Sequence, residues 1–169
     1  LEAYQLYLKG RALLYRRGSA ASQAVKCFEQ AVALDTQYAL GWAGLSEAYT
    51  TLGYYSFAAP QPTMSKAMEA AQRAATLGPA SAEAHHALGM ALLMAAWNKS
   101  DAEREFVRAL ELNPRNTQAR AWYAVNYLQL AAGRLHEGLA EAKLAMESDR
   151  RSSYAHAICS LCYCILGQH

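Results

Sequence analysis

A short phrase of small and aromatic residues recurs along the chain, and this repetition constrains the fold more than any other feature. Its four copies are Ala24-x3-Phe28-x2-Ala31, Ala67-x3-Ala71-x2-Ala74, Ala102-x3-Phe106-x2-Ala109 and Gly138-x3-Ala142-x2-Ala145. The copies begin at positions 24, 67, 102 and 138, so the steps between them are 43, 35 and 36 residues. A period of this size is typical of repeat architectures, in which each unit is one supersecondary element.

A second phrase follows each copy of the first and combines a large, an apolar, a small and an aromatic or leucine residue. Its copies are Trp42-x2-Leu45-Ser46-x2-Tyr49, His85-x2-Leu88-Gly89-x2-Leu92, Arg120-x2-Tyr123-Ala124-x2-Tyr127 and His156-x2-Cys159-Ser160-x2-Tyr163. Apolar residues at i, i+3, i+4 and i+7 form one buried stripe on a helix. The small residue at the centre of each phrase lets two helices approach closely.

The two phrases and the turn signals between them predict an all-α chain of nine helices. The expected bounds are 2–17, 20–34, 37–53, 63–77, 81–96, 100–112, 115–131, 135–148 and 152–166. Gly78-Pro79 and Asn113-Pro114 are turn signals between helices. Ser100 and Glu103 have the spacing of a capping box, which predicts the start of the sixth helix.

Together the phrases resemble the tetratricopeptide repeat (TPR), W-x2-L-G-x2-Y…A-x3-F…P, whose period is about 34 residues. The resemblance implies a right-handed α-solenoid of helix–turn–helix repeats with four complete pairs plus a ninth helix, forming a single domain over residues 1–169. Because the chain starts at Leu1 without a Met, it is interpreted as part of a longer protein. The first repeat fits poorly as Leu8-x2-Arg11-Ala12-x2-Tyr15, which leaves its register open by a residue or two.

The step of 43 residues implies an insertion in the second repeat, and residues 54–62 supply it. This insertion contains the run Tyr54-Tyr55-Ser56-Phe57. One interpretation is a lengthened helix end and a loop whose aromatic side chains pack on the neighbouring helix pair. The other is a lip over the binding groove, because loops that depart from a scaffold often carry function.

The resemblance also implies a binding surface, since stacked repeats curve into a superhelix with an extended concave face. Family members line this face with the first helix of each repeat and bind a protein or peptide there. Carried over residue by residue, the expected partner-binding groove comprises Glu47, Glu83, His86, Met90, Leu93, Met94, Gln118, Trp122, Val125, Gln129 and Tyr154.

The residue types in this groove indicate which partner it favours. Met side chains suit adaptable apolar surfaces and Trp is a common hot-spot anchor, so a segment with apolar anchors near Met90 and Trp122 is expected. Glu47 and Glu83 would repel a partner's carboxylate. His86 is expected to contact a partner or to titrate near neutral pH. The alternative that the protein's own flanking segment covers the apolar residues stays open.

The sequence contains no recognisable catalytic constellation, so no enzymatic activity and no cofactor are predicted. A possible metal site is the cluster of Cys159, Cys162 and Cys164 with His156 and His169 nearby, because zinc prefers these residue types. On a helix, however, Cys162 and Cys164 point in nearly opposite directions. The cluster is therefore interpreted as packing residues, and no metal site is predicted.

Charge and hydropathy disfavour two classes of partner. The chain has 16 Lys and Arg against 14 Asp and Glu, and the charges are scattered, whereas a nucleic-acid binder has a concentrated basic stripe. No apolar run approaches the roughly 20 residues that span a bilayer, so no membrane association is expected. The clustered cysteines are interpreted as reduced thiols, which favours a cytoplasmic location.

The ninth helix is apolar around most of its girth, through Ile158, Leu161, Cys162 and Ile165. Because a solenoid needs a polar cap at its ends, we expect either further repeats or self-association through this helix. The opening residues 3–11 and residues 38–45 also resemble repeat regions of bacterial signalling proteins, such as adenylate cyclases, winged-helix regulators and protein kinases. That resemblance implies a regulatory, protein-binding module. The alternatives are a ligand- or metal-responsive sensor and a purely architectural dimerisation segment.

Overall fold

The computed structural model describes residues 1–16, 20–55 and 57–167. Arg17 at the expected end of the first helix, Ser56 in the insertion and His169 near the cysteine cluster lie outside the described residues. Helices account for nearly all of the described chain. They are α1 (Glu2–Arg16), α2 (Ala20–Leu34), α3 (Ala39–Tyr54), α4 (Pro60–Leu77), α5 (Ala82–Ala96), α6 (Lys99–Leu112), α7 (Thr117–Trp122) continuing directly into a π-helical segment (Tyr123–Ala131), α8 (Leu135–Ser148) and α9 (Ser153–Leu166).

The helices confirm the predicted order and bounds to within about three residues. The largest shift is at α4, which begins at Pro60 rather than at position 63. Proline is well suited to the first turn of a helix because its missing N–H is not needed there. The prediction of a capping box at Ser100 is wrong. The cap is Asn98, whose side chain accepts a hydrogen bond from the backbone N–H of Asp101 at 3.3 Å.

The helices pack as the antiparallel pairs that the phrases predict, and small residues set the close approach. Phe28 of α2 is fully buried between Gly10 of α1 and Gly44 of α3. A Cβ atom at Gly10 or Gly44 would lie 2.7 or 2.5 Å from the Phe28 ring. Ser46 of α3 is buried and donates a hydrogen bond to the carbonyl of Ala67 in α4 at 2.8 Å.

The packing of Gly10 settles the register of the first repeat. Gly10 meets Phe28 in the same way that Gly89 of α5 meets Phe106 of α6. The small position of the first repeat is therefore Gly10 rather than Ala12, two residues before the predicted one. This register places Arg11 at the position that Glu47 and Met90 occupy in the next two repeats.

The first helix of the fourth repeat departs from α-helical geometry after Trp122. From Tyr123 onward the backbone bonds i→i+5, as when the N–H of Ala132 donates to the carbonyl of Tyr127 at 2.8 Å. This wider segment lies against Gly138 of α8, where a Cβ atom would come 2.7 Å from the carbonyl oxygen of Ala124. The close approach explains why the weakest copy of the first phrase begins with Gly.

The solenoid curves tightly enough that non-adjacent repeats meet on the inner face. The Tyr54 ring, at the end of α3 in the second repeat, packs edge-on against Trp122 of the fourth repeat, with ring centroids 5.6 Å apart. Leu14 of α1 and Gln118 of α7 line the same small recess. The concave surface is therefore narrow, and most of its apolar part is in contact with the protein itself.

Candidate binding site on the concave face

The eleven residues of the expected groove divide into a buried and a partly exposed set. Those that are partly exposed are Glu83, Met94, Gln118 and Tyr154. Those that are buried are Glu47, His86, Met90, Leu93, Trp122, Val125 and Gln129. Binding by this set stays a prediction, but a partner meets only part of it in the conformation described.

The apolar centre of the expected groove is covered by the chain itself. Met90 is 1% exposed and Trp122 is 3% exposed. Tyr54 packs on Trp122, and Leu14 and Tyr55 enclose the remaining space beside Met90 in a recess of only about 20 Å³. Tyr54 and Tyr55 of the aromatic insertion therefore lie over the inner face, and α3 is lengthened to Tyr54 as the first interpretation expected. A role of the insertion in binding stays a prediction.

Val125 and Gln129 do not share a face with Gln118 and Trp122, so their placement on the groove surface is wrong. Val125 packs in the core against Leu139 and Ile158. The Gln129 side chain donates to the backbone carbonyls of Leu135 and Cys162, at 2.9 and 3.2 Å. The reason is the π-helical segment, because i→i+5 bonding puts more residues in each turn and moves these positions off the α-helical stripe.

The open part of the concave face is a polar cavity of about 260 Å³, here called the inner cavity. Its wall combines the first helices α1, α3, α5 and α7 with the turns that precede α7 and α9. The charged and imidazole side chains in this wall are Arg11, Glu47, Glu83, His86, Arg115 and Asp149. Glu83, His86 and Gln118 are the other predicted groove residues besides Glu47 that reach it.

A buried ion pair forms the floor of the inner cavity. The Arg11 guanidinium donates to the Glu47 carboxylate at 2.8 Å and to the Tyr15 hydroxyl at 3.2 Å. Glu47 is 3% exposed. Burial raises the pKa of Glu47, and the Arg11 guanidinium opposes that shift. Because this pair joins α1 to α3, it fixes the first repeat against the second as well as shaping the cavity.

His86 is the other buried polar group in the cavity wall. It is 1% exposed, its ring lies 6.0 Å from the Phe106 ring, and neither ring nitrogen has a hydrogen-bond partner among the described residues. Burial, assisted by the nearby positive charge of Arg11, lowers the pKa of His86 to about 3. The expectation that His86 titrates near neutral pH is therefore wrong, because the imidazole is desolvated and stays neutral.

Several residues of the inner cavity were absent from the predicted groove. Tyr7 and Arg11 come from α1, and Arg115 and Asp149 come from turns. The α1 residues carried a signal, because reading Gly10 as the small position of the first repeat would have placed Arg11 beside Glu47. Arg115 and Asp149 carried none, since the curvature that brings the turns to the cavity depends on all four repeats.

The structure confirms the packing interpretation for Cys159 and Cys162 of α9 but not for His156, which is exposed. Cys159 and Cys162 are buried in the core formed with Ala155 and Ile158, whereas Cys164 is exposed. Over the part of the chain that the structure describes, no group of three or more His, Cys, Asp or Glu could hold a metal ion. No helix of the described residues is both long and apolar enough to cross a membrane.

Comparison with solved structures shows that the fold is a TPR helical-repeat solenoid. The thermophilic TPR protein TTC0263 from Thermus thermophilus has a TM-score of 0.73 at 23% identity, over 94% of this chain and 80% of its own. YrrB, a TPR protein with an unusual peptide-binding site, has a TM-score of 0.53 at 20% identity, over 88% of this chain and 71% of its own.

A third similar structure is a human IFIT1 dimer solved with m7Gppp-AAAA. It has a TM-score of 0.78 at 21% identity, over 97% of this chain but only 36% of IFIT1. No protein-family model matches the sequence, and comparison with curated proteins likewise finds no match. At these identities the structural likeness establishes the fold and leaves the function to be argued from the site.

Proposed function

We propose that this chain is a non-catalytic protein- or peptide-binding module and that it binds its partner at the concave face. The observation that carries the proposal is the inner cavity, an open and polar recess built from four successive first helices and two turns. A recess of this kind gives a partner several hydrogen-bonding groups on one rigid scaffold. The peptide-binding site named for YrrB, which shares the fold, supports the same use of the scaffold.

The predicted apolar anchor site near Met90 and Trp122 belongs to this proposal in a modified form. A partner reaches it only where Tyr54 and Tyr55 are displaced, since these two side chains now cover it. The first contacts of a partner are therefore polar and fall on the partly exposed residues Glu83 and Gln118. Glu83 and Gln118 are therefore the residues to mutate first.

The experiment is selection from a random peptide library on the full chain, followed by affinity measurement for the selected peptides. We expect the double variant Glu83→Lys/Gln118→Ala to lose about tenfold in affinity, which corresponds to roughly 1.4 kcal/mol. The matched control is Glu147→Lys, an exposed charge reversal on α8. Equal loss in the control and the double variant, or no selected peptide at all, would refute binding at the concave face.

We further propose that the chain is the regulatory part of a larger bacterial signalling protein. The support is the resemblance of residues 3–11 and 38–45 to repeat regions in such proteins. Reading the coding sequence on both sides of this segment tests it. An adjoining cyclase, kinase or winged-helix domain is the expected outcome, and flanking repeats alone would contradict it. Leu161 of α9 is an exposed apolar residue. Self-association through α9 stays a prediction that light scattering can test.

A further inference from the structure

The inner cavity contains a buried imidazole that the fold itself does not explain. His86 lies in the cavity wall, yet neither of its ring nitrogens has a hydrogen-bond partner within the described chain. A buried polar group without a partner costs free energy, and native structures pair the great majority of such groups. Its lowered pKa, about 3, keeps the ring neutral, so one nitrogen retains a lone pair that can accept a hydrogen bond.

The charges around His86 favour a positively charged occupant. The Arg11 guanidinium is already occupied by Glu47 and Tyr15. The other charged groups of the wall have no ion-pair partner among the described residues. They are Glu83, Asp149 and Arg115. Two of these three are carboxylates, so the cavity attracts a cation and repels an anion.

We propose that the inner cavity receives the cationic end of a lysine or arginine side chain from the bound peptide. Glu83 and Asp149 supply the counter-charge. His86 accepts a hydrogen bond from the same cation once the wall rearranges locally, because both of its ring nitrogens are buried in the conformation described. This inference rests on the proposed function and specifies its ligand chemistry. Because the acceptors come from α5 and from the turn before α9, the site exists only in the curved solenoid.

The size of the inner cavity agrees with a single side chain as the occupant. Its volume of about 260 Å³ lies below the range of about 300–1,000 Å³ that holds a whole drug-sized ligand. A lysine side chain is narrow and flexible, and its apolar stem can lie along Tyr7 while the ammonium reaches the polar wall. The peptide backbone then stays outside, near the exposed residue Arg115.

The test uses three capped tripeptides that differ only at the centre: acetyl-Gly-Lys-Gly amide, its norleucine analogue and its glutamate analogue. Each is titrated into the isotope-labelled full chain by NMR. We expect the lysine peptide to shift the backbone amides of Glu83, Gln118 and the turn around Arg115. It should bind at least about fivefold more tightly than the norleucine peptide, as for a partly screened ion pair. Equal or tighter binding of the norleucine or glutamate peptide would overturn the proposal.

Matched variants separate this inference from the proposed function. Glu83→Gln and Asp149→Asn each remove one carboxylate and should weaken lysine-peptide binding by about threefold to fivefold, whereas Glu147→Gln should not change it. Butylammonium, a free amine without a peptide backbone, is the remaining probe. If it binds as tightly as the lysine peptide, the cavity is a site for free amines, and the proposal that it receives a peptide side chain is overturned. Library peptides that bind the concave face without a basic residue would overturn this inference and leave peptide binding intact.

Discussion

The buried imidazole of His86 predicts that the stability of the fold depends on pH in a defined direction. Its pKa is lowered from 6.5 to about 3 by burial and by the Arg11 charge. The unfolded chain therefore binds a proton at His86 more readily than the folded chain between those two pH values. His86 therefore leaves the free energy of unfolding unchanged above about pH 6.5. That free energy falls as the pH is lowered from about 6.5 towards 3.

The size of this loss in stability follows from how far the pKa of His86 is lowered. Each pH unit below the unfolded pKa costs about 1.4 kcal/mol while the folded-state imidazole remains neutral. Lowering the pH from about 7.5 to about 5 should therefore remove roughly 2 kcal/mol of stability through His86 alone. The perturbation that isolates this contribution is His86→Leu, which cannot charge and has no unpaired nitrogen. At about pH 7.5 this variant should be more stable than the natural chain by about 1–2 kcal/mol.

The assay is urea unfolding followed by circular dichroism at several pH values for the natural chain and His86→Leu. Taking the difference between the two proteins removes the contributions of groups such as Glu47 that both contain. The stability advantage of the variant should grow by about 2 kcal/mol as the pH falls from about 7.5 to about 5. His136→Leu, at an exposed position of α8, is the matched control and should show no growing advantage. A constant difference between the natural chain and His86→Leu across this range would refute the reasoning.

Four substitutions test the packing and helix-end arguments, each measured by urea unfolding at neutral pH. Gly44→Ala should cost about 1–3 kcal/mol because its Cβ would meet the buried Phe28 ring at 2.5 Å, and an unchanged midpoint would contradict that packing. Trp97→Gly should stabilise by about 1 kcal/mol, because Trp97 is 62% exposed and has a φ of 50°, and a less stable variant would contradict the argument from backbone strain. Asn98→Ala should cost about 1 kcal/mol through loss of the α6 cap whereas Ser100→Ala should not, and the reverse result would restore the capping box.

The sequence alone was sufficient for the architecture, because the repeating phrases are local patterns that report which face of each helix is buried. Ala24, Ala31, Phe106 and Ala109 were expected in the core from spacing alone, and all are fully buried. The helix pairs and the order of repeats followed from the same periodicity. The position of the insertion was also predictable from the sequence, because it lengthens one repeat whereas the spacing of the other repeats is nearly constant.

The site depended on tertiary structure, since the distance between repeats one, two and four is set by the curvature of the whole solenoid. Position in a repeat placed Trp122 on the inner face, but only the curvature brings Tyr54 against it and closes the apolar groove. The π-helical segment likewise turns Gln129 into the core, where the segment packs against Gly138 of α8. Helical spacing describes one helix at a time, whereas the inner cavity is a property of how four repeats meet.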